Sequence, residues 1–216
     1  MKTPFSPEER DRLEGLIAQV EEKSHAQVVL AVIGRSDAYA ELPWKAFALG
    51  TVVAALVLVL SGALNGGWSP SLTKLYTAGL LIGCGAAMAM LAILWPGFAR
   101  CFLPAHRAEG EVRQYAEALF LQREIFATKN RRGILLLVSG FERRVVLLPD
   151  QGVREILTEP VLAEVIATMV PLLKKRRVAL ALETGLEGIE RHLAGRLSQD
   201  IQGGTLDNAI IEEKGS

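Results

Sequence analysis

The sequence predicts an α/β domain, a small sheet with helices on its faces, interrupted by a two-helix hairpin long enough to cross a bilayer. Three observations predict it. Half of the 216 residues are hydrophobic, and most of that excess lies between Ala46 and Ala99. On either side the chain has an ordinary charged composition with helix- and strand-period patterns. Each flank carries a strongly apolar strand that it cannot bury alone, so strands from both flanks must share one sheet.

The first flank opens on Ser6-Pro7-Glu8-Glu9. Serine at the cap, proline in the first turn and glutamate three residues on predict a helix start. Leu13, Leu16, Ile17 and Val20 then fall on one helical face. Gln27 to Ile33, QVVLAVI, is apolar on both faces and predicts an interior strand. Residues 1–10 have no apolar core and no small-residue cleavage site, so no secretory signal is expected there.

Residues 46–64 carry no charge; as a helix they span about 28 Å, close to the thickness of a hydrocarbon core. Residues 75–99 are a second uncharged run, and Asn65-Gly66-Gly67-Trp68-Ser69-Pro70 breaks the chain between them. The result is an expected antiparallel hairpin. Trp44 and Trp95 fall at one of its ends, Trp68 and Tyr76 at the other, where interfacial aromatics belong. The connector side carries only Lys74, against Lys45, Arg100 and Arg107 on the other. That bias predicts an integral membrane protein with both termini cytoplasmic.

Gly50 and Ala54, and Gly79, Gly83 and Ala87, recur at four-residue spacing. Close packing within the hairpin is the expectation, a homo-oligomer interface the alternative. No ionisable residue lies in either span, which argues against an ion path. Cys84 and Cys101 read as a buried small residue and an interfacial thiol, neither a disulfide nor a zinc site.

The second flank begins with a helix over residues 109–127, presenting Val112, Ala116, Leu119 and Phe120 on one face. A strand over Gly133–Ser139, a turn at Gly140-Phe141-Glu142 and a strand over 144–148 form a β-hairpin, ended by Asp150-Gln151-Gly152. Pro160 opens a helix carrying Val161, Val165, Ile166 and Met169; another over 178–197 carries Leu182, Ile189, Leu193 and Leu197. The domain division is therefore 1–43 and 100–200 for the two parts of the α/β domain and 44–99 for the hairpin. Residues 201–216, with Gly203-Gly204, are expected to be a flexible tail.

The residues around the first strand, Glu21-Glu22-Lys23-Ser24-His25-Ala26-Gln27-Val28-Val29, resemble the TPM domain family. So do residues 116–120, Asp150-Gln151-Gly152-Val153, and above all Arg132-Gly133-Ile134-Leu135-Leu136-Leu137-Val138-Ser139-Gly140-Phe141-Glu142-Arg143-Arg144-Val145. The resemblance is to the bacterial membrane branch with a transmembrane hairpin inside the domain. It implies a small sheet with helices on its faces. For function it implies two directions: acid phosphatases that bind a divalent cation such as calcium through clustered aspartates, or maintenance of membrane complexes, with LemA-type membrane proteins as neighbours.

An enzyme of the first kind needs carboxylates that converge on a hard cation. The positions here nearest to those of the ion-binding relatives are Glu142, Asp150 and Asp37. Arginines flank Glu142, which favours an ion pair over a cation site, and Asp150 reads as a turn former. His25, His106 and His192 have no serine or cysteine at a motif spacing, and Gly133 belongs to no phosphate loop. No cofactor is expected. Net charge is zero, which gives no reason to expect nucleic acid as a partner. The basic residues Lys129, Arg131 and Arg132, then Arg143 and Arg144, then Lys174, Lys175, Arg176 and Arg177, suggest contact with anionic headgroups. The function expected is thus a membrane-anchored binding or accessory subunit, partnered by the bilayer and another membrane protein, with a metal-dependent phosphohydrolase as the alternative.

Overall fold

Every position of Gly133–Ser139 is buried, which requires a place inside a sheet covered on both faces. The computed structural model, described for residues 5–65, 72–196, 210–213 and 215, puts it there. The strands are β1 (Gln27–Ile33), β2 (Gly133–Ser139), β3 (Arg144–Pro149) and β4 (Ile210–Glu213), in the order β3-β2-β1-β4. β1 runs parallel to β2 from Gln27↔Gly133 to Ile33↔Ser139, and β3 returns antiparallel along β2. The two flanks share one sheet.

The fourth strand corrects an expectation. Within the segment expected to be a loose tail, Ile210–Glu213 pairs in parallel with β1. Ile210 packs into the core on one face of the sheet and Ile211 into the core on the other. Glu212 meets Arg10, while Glu213 meets Tyr115 and Arg123, the alternation a strand imposes. Residues 197–209, with Leu197, Gly203 and Gly204, lie outside the described residues.

Four helices cover the sheet: α1 (Pro7–Ser24), α7 (Glu159–Lys174) and α8 (Val178–Leu193) on one face, α5 (Ala105–Gln122) on the other. The Ser6 hydroxyl accepts from the Glu9 amide and the Glu9 carboxylate accepts from the Ser6 amide, so the cap forms as its residues predict. His25, at φ 53°, closes α1.

Ion pairs fix the helix directions. Arg10, in the first turns of α1, meets Glu212, whose Cα pairs with Val32; α1 therefore starts at the end of the sheet where β1 stops, the Ile33 end. Arg12–Glu183 and Lys23–Glu190 then lay α8 parallel to α1, and the link between α7 and α8 falls at the Ile33 end. On the other face Tyr115 reaches Glu213 at that same end. Ile125 lies against Gly133, at the Gln27 end, so α5 also runs from the Ile33 end to the Gln27 end.

The chain divides into two units, Met1–Asp37 with Glu109–Ser216, and Ala38–Ala108. The second holds α2 (Glu41–Asn65), α3 (Leu72–Leu94) and the short α4 (Pro96–Ala99). The uncharged run expected to extend to Ala99 breaks earlier, because Pro96 supplies no N–H and constrains Trp95 before it. Residues 66–71, including Trp68 and most of the expected connector, lie outside the described residues.

Glycine brings α2 and α3 together at two points. A Cβ on Gly50 would sit 2.8 Å from the Cys84 carbonyl oxygen, and one on Gly85 2.5 Å from the Thr51 hydroxyl. The expected packing within the hairpin thus holds at Gly50 but not at Gly79 or Gly83, where nothing lies within 4 Å. Gly50→Leu should lower the melting temperature of the detergent-solubilised chain by an amount equivalent to about 1–3 kcal/mol. Gly79→Leu should leave it unchanged.

Candidate functional site

The Ile33 end gathers the first group of polar side chains. The turn after β2 folds over the end of β1: the Gly140 amide donates to the Ile33 carbonyl and the Phe141 amide to that of Gly34. Arg143 completes the turn at φ 54°, and the Arg35 guanidinium lies 4.5 Å from the centre of the Phe141 ring. This geometry drives Glu142 inward, leaving it 7% exposed. Its Oε1 accepts from the Ser36 amide at 2.9 Å and the Ser36 hydroxyl at 2.7 Å, and Ser139 Oγ donates to Oε2. The sequence suggests an arginine partner or solvent for Glu142; the structure gives it two serines. Asp37 follows at the same end, half-buried.

Asp150 lies elsewhere. Its amide donates to the Gly133 carbonyl, which places it at the Gln27 end. It caps the short helix α6 (Gln151–Arg154), accepting from the Gln151 amide at 2.7 Å, and receives two hydrogen bonds from Arg131, at 3.1 and 2.9 Å. Those bonds to Asp150 hold the Arg131 guanidinium pKa above its ordinary value. Gly152 is required here, because a Cβ would fall 2.1 Å from the Asn130 carbonyl oxygen. Gly133 has a similar reason: its Cβ would meet the Ile125 carbonyl at 2.3 Å.

The three candidate carboxylates therefore sit at two ends of a seven-residue strand, about 20 Å apart. Asp37 and Glu142 share one end; Asp150 occupies the other. They do not fit one shared cation, and both oxygens of Glu142 already accept from serines. Among the described residues no group of three His, Cys, Asp or Glu side chains comes close enough to hold an ion.

The basic residues divide the same way. Lys129, Arg131 and Arg132 lie on the loop into β2 at the Gln27 end, where the Arg132 carbonyl accepts from the Gln27 amide. Arg143, Arg144, Lys174, Lys175, Arg176 and Arg177 lie at the Ile33 end, and all but the half-buried Arg144 are exposed. Of the histidines, His25 closes α1, His106 stands in the first turn of α5, and His192 approaches Glu164 at 3.9 Å. Both cysteines are free, Cys84 half-buried and Cys101 exposed.

Sequence reasoning missed the partners that lock the strand ends. Ser139 is the one polar residue in an otherwise apolar strand, a visible signal for a buried hydroxyl in search of an acceptor. Nothing local marks Ser36, Tyr115 or Glu213. Burial first, and the hydrogen bond and charge of Glu213 next, push the Tyr115 hydroxyl up to about 12, with Arg123 opposing. At the other end of β1, where β4 does not reach, the Val28 amide donates to Glu21 Oε1 at 2.9 Å. Burial raises the Glu21 carboxyl pKa despite that bond.

In the second unit, Glu41–Leu64 and Lys74–Leu94 are two helices long and apolar enough to cross a membrane, and only 11% of the most apolar window of each is buried. Val52, Leu56, Val57, Leu60, Ile82 and Ile93 are each more than half exposed.

These features can be set beside known proteins. No curated protein matches the chain. The NMR structure of the BA42 protein from the psychrophilic bacterium Bizionia argentinensis sp. nov. is similar in fold, with a TM-score of 0.56 over 98% of this chain and 97% of that one, at 12% identity. Residues 102–192, which hold α5, β2, β3, α6, α7 and all but the last residue of α8, match the family model of the TPM domain. The comparisons thus place a match to the TPM domain within residues 102–192 of the chain.

Proposed function

We propose that this chain is a membrane-anchored TPM-domain protein that acts by binding, as a scaffold or accessory subunit of an inner-membrane assembly, with both termini in the cytoplasm. One observation carries the reading. The two apolar helices keep their large side chains outward, where a soluble protein would bury them and where lipid is the matching solvent. The basic residues Lys45, Arg100 and Arg107 beside the outer ends of the hairpin support the orientation. A binding role is favoured over phosphohydrolysis because the carboxylates nearest to a cation site are divided between two ends of the sheet and engaged in holding loops.

The full chain, expressed in a bacterial cell, should stay with the membrane pellet through alkaline carbonate extraction and enter solution only with detergent. Recovery in the carbonate supernatant would overturn the anchor. Protease added outside sealed cells should spare both termini; their cleavage would reverse the orientation. Crosslinking in intact membranes should then capture a membrane protein as partner.

A further inference from the structure

We infer that the Ile33 end of the sheet is a docking face for anionic lipid headgroups, built by the exposed Arg143, Lys174, Lys175, Arg176 and Arg177. The inference rests on the membrane anchor proposed above and goes further, because it selects one end of the domain.

Two segments distant in sequence supply these cations. β3 starts at the Ile33 end, since Arg144 pairs with Ser139. α7 packs against β3 and α8, and its last residue, Lys174, lies at the same end because α8 begins there. The turn before β3 and the link after α7 therefore form one basic corner. The backbone presents it outward: Arg143 and Arg176 take φ 54° and 59°, each at the crest of a tight turn. Lys174, Lys175, Arg176 and Arg177 are all exposed.

Of the acids near this corner, Asp37 shares its end of the sheet and is half-buried. Glu142 is buried on its serines. Glu212 and Glu213 belong to β4, three strands away, and are held by Arg10, Tyr115 and Arg123. Glu8 and Glu9 stand at the start of α1, which lies on the β4 side.

Chain connectivity makes the ligand a lipid rather than a free anion. The first unit runs into the second at Asp37, four residues beyond the end of β1, and receives the chain back at Glu109, ahead of Tyr115 in α5. Both passages leave from the Ile33 end. If the hairpin is in lipid, this end carries both of the chain's tethers to it, and a charged leaflet acts only over a short range. Lys129, Arg131 and Arg132, at the opposite end, are excluded.

The test uses the full chain in nanodiscs of phosphatidylcholine, with or without phosphatidylglycerol, and a lysine-acylating reagent read by mass spectrometry. Acylation of Lys174 and Lys175 should slow at least about threefold in the anionic discs at low salt and recover at high salt, while Lys129 is unchanged. Equal slowing at Lys129, or none at Lys174 and Lys175 in a chain that has entered the discs, overturns the docking face and leaves the anchor standing. Failure to enter either disc overturns both. If inorganic phosphate protects Lys174 and Lys175 equally in neutral discs, the corner is a free-anion site and the lipid assignment is wrong. The variant K174Q/K175Q/R176Q/R177Q should enter discs normally and lose the anionic-lipid protection of the turn at Arg143, read by amide hydrogen exchange; retained protection counts against the proposal.

Discussion

Replacing Leu136 by alanine should destabilise the α/β domain by about 3–5 kcal/mol. Leu136 is in the middle of β2 and has no exposed surface. It faces the core shared with α1, α7 and α8, and its Cδ2 lies 3.2 Å from where a Cβ on Gly185 of α8 would stand. The helix thus rests directly on this side chain. Truncation removes the transfer free energy of the lost carbons and leaves a hollow that a flat strand and a glycine-paved helix cannot close. A domain's whole stability is about 5–15 kcal/mol, so the variant should sit near its unfolding threshold. Chemical denaturation of the detergent-solubilised chain, followed by near-ultraviolet circular dichroism, measures the shift. A midpoint within error of the parent would mean that β2 does not lie at the centre of the sheet.

Glu142→Ala should cost about 2–4 kcal/mol, although it removes no hydrophobic contact of note. Three donors converge on this carboxylate: the Ser36 amide, the Ser36 hydroxyl and the Ser139 hydroxyl. Ser36 and Ser139 are 6% and 1% exposed, so water does not readily replace the lost acceptor, and each buried orphan costs about 1–3 kcal/mol. Glu142→Gln keeps one acceptor oxygen and should lose roughly half as much. Hydrogen exchange at the Ser36 amide gives the local readout: it should accelerate strongly in Glu142→Ala and modestly in Glu142→Gln. An unchanged Ser36 amide would show that the carboxylate does not hold this loop.

Much of the fold is visible in the residues because local rules and burial agree. The Ser6–Glu9 cap, the apolar runs of β1 and β2, and the turn around Phe141 each satisfy a local requirement that the tertiary structure then uses. β4 escaped notice for a physical reason. Two isoleucines followed by two glutamates are too short a pattern to mark a strand, and its partners, β1 and the side chains of Arg10, Tyr115 and Arg123, are all about 90 residues or more away in sequence.

The candidate site was less legible. The resemblance grouped Glu142, Asp150 and Asp37, but strand direction decides that β3 carries Asp150 to the opposite end of the sheet. The basic residues suffered the same limit, since spacing along the chain cannot show that Lys174 lies at the same end of the sheet as Arg144 and Lys129 at the other. The role of Glu142 depended on Ser36, which the chain delivers from the far side of the hairpin.

Parallel pairing of β1 with β2 joins strands separated by about 100 residues. On the ribosome, at ~5–20 residues per second, β1 therefore waits about 5–20 seconds for its neighbour, and β4 arrives later still. Until then its apolar backbone edge is open to any extended chain nearby. Translation speed through residues 38–132, or a chaperone stationed there, thus bears directly on the yield of folded protein, so synonymous changes in that stretch can alter yield without altering a single side chain.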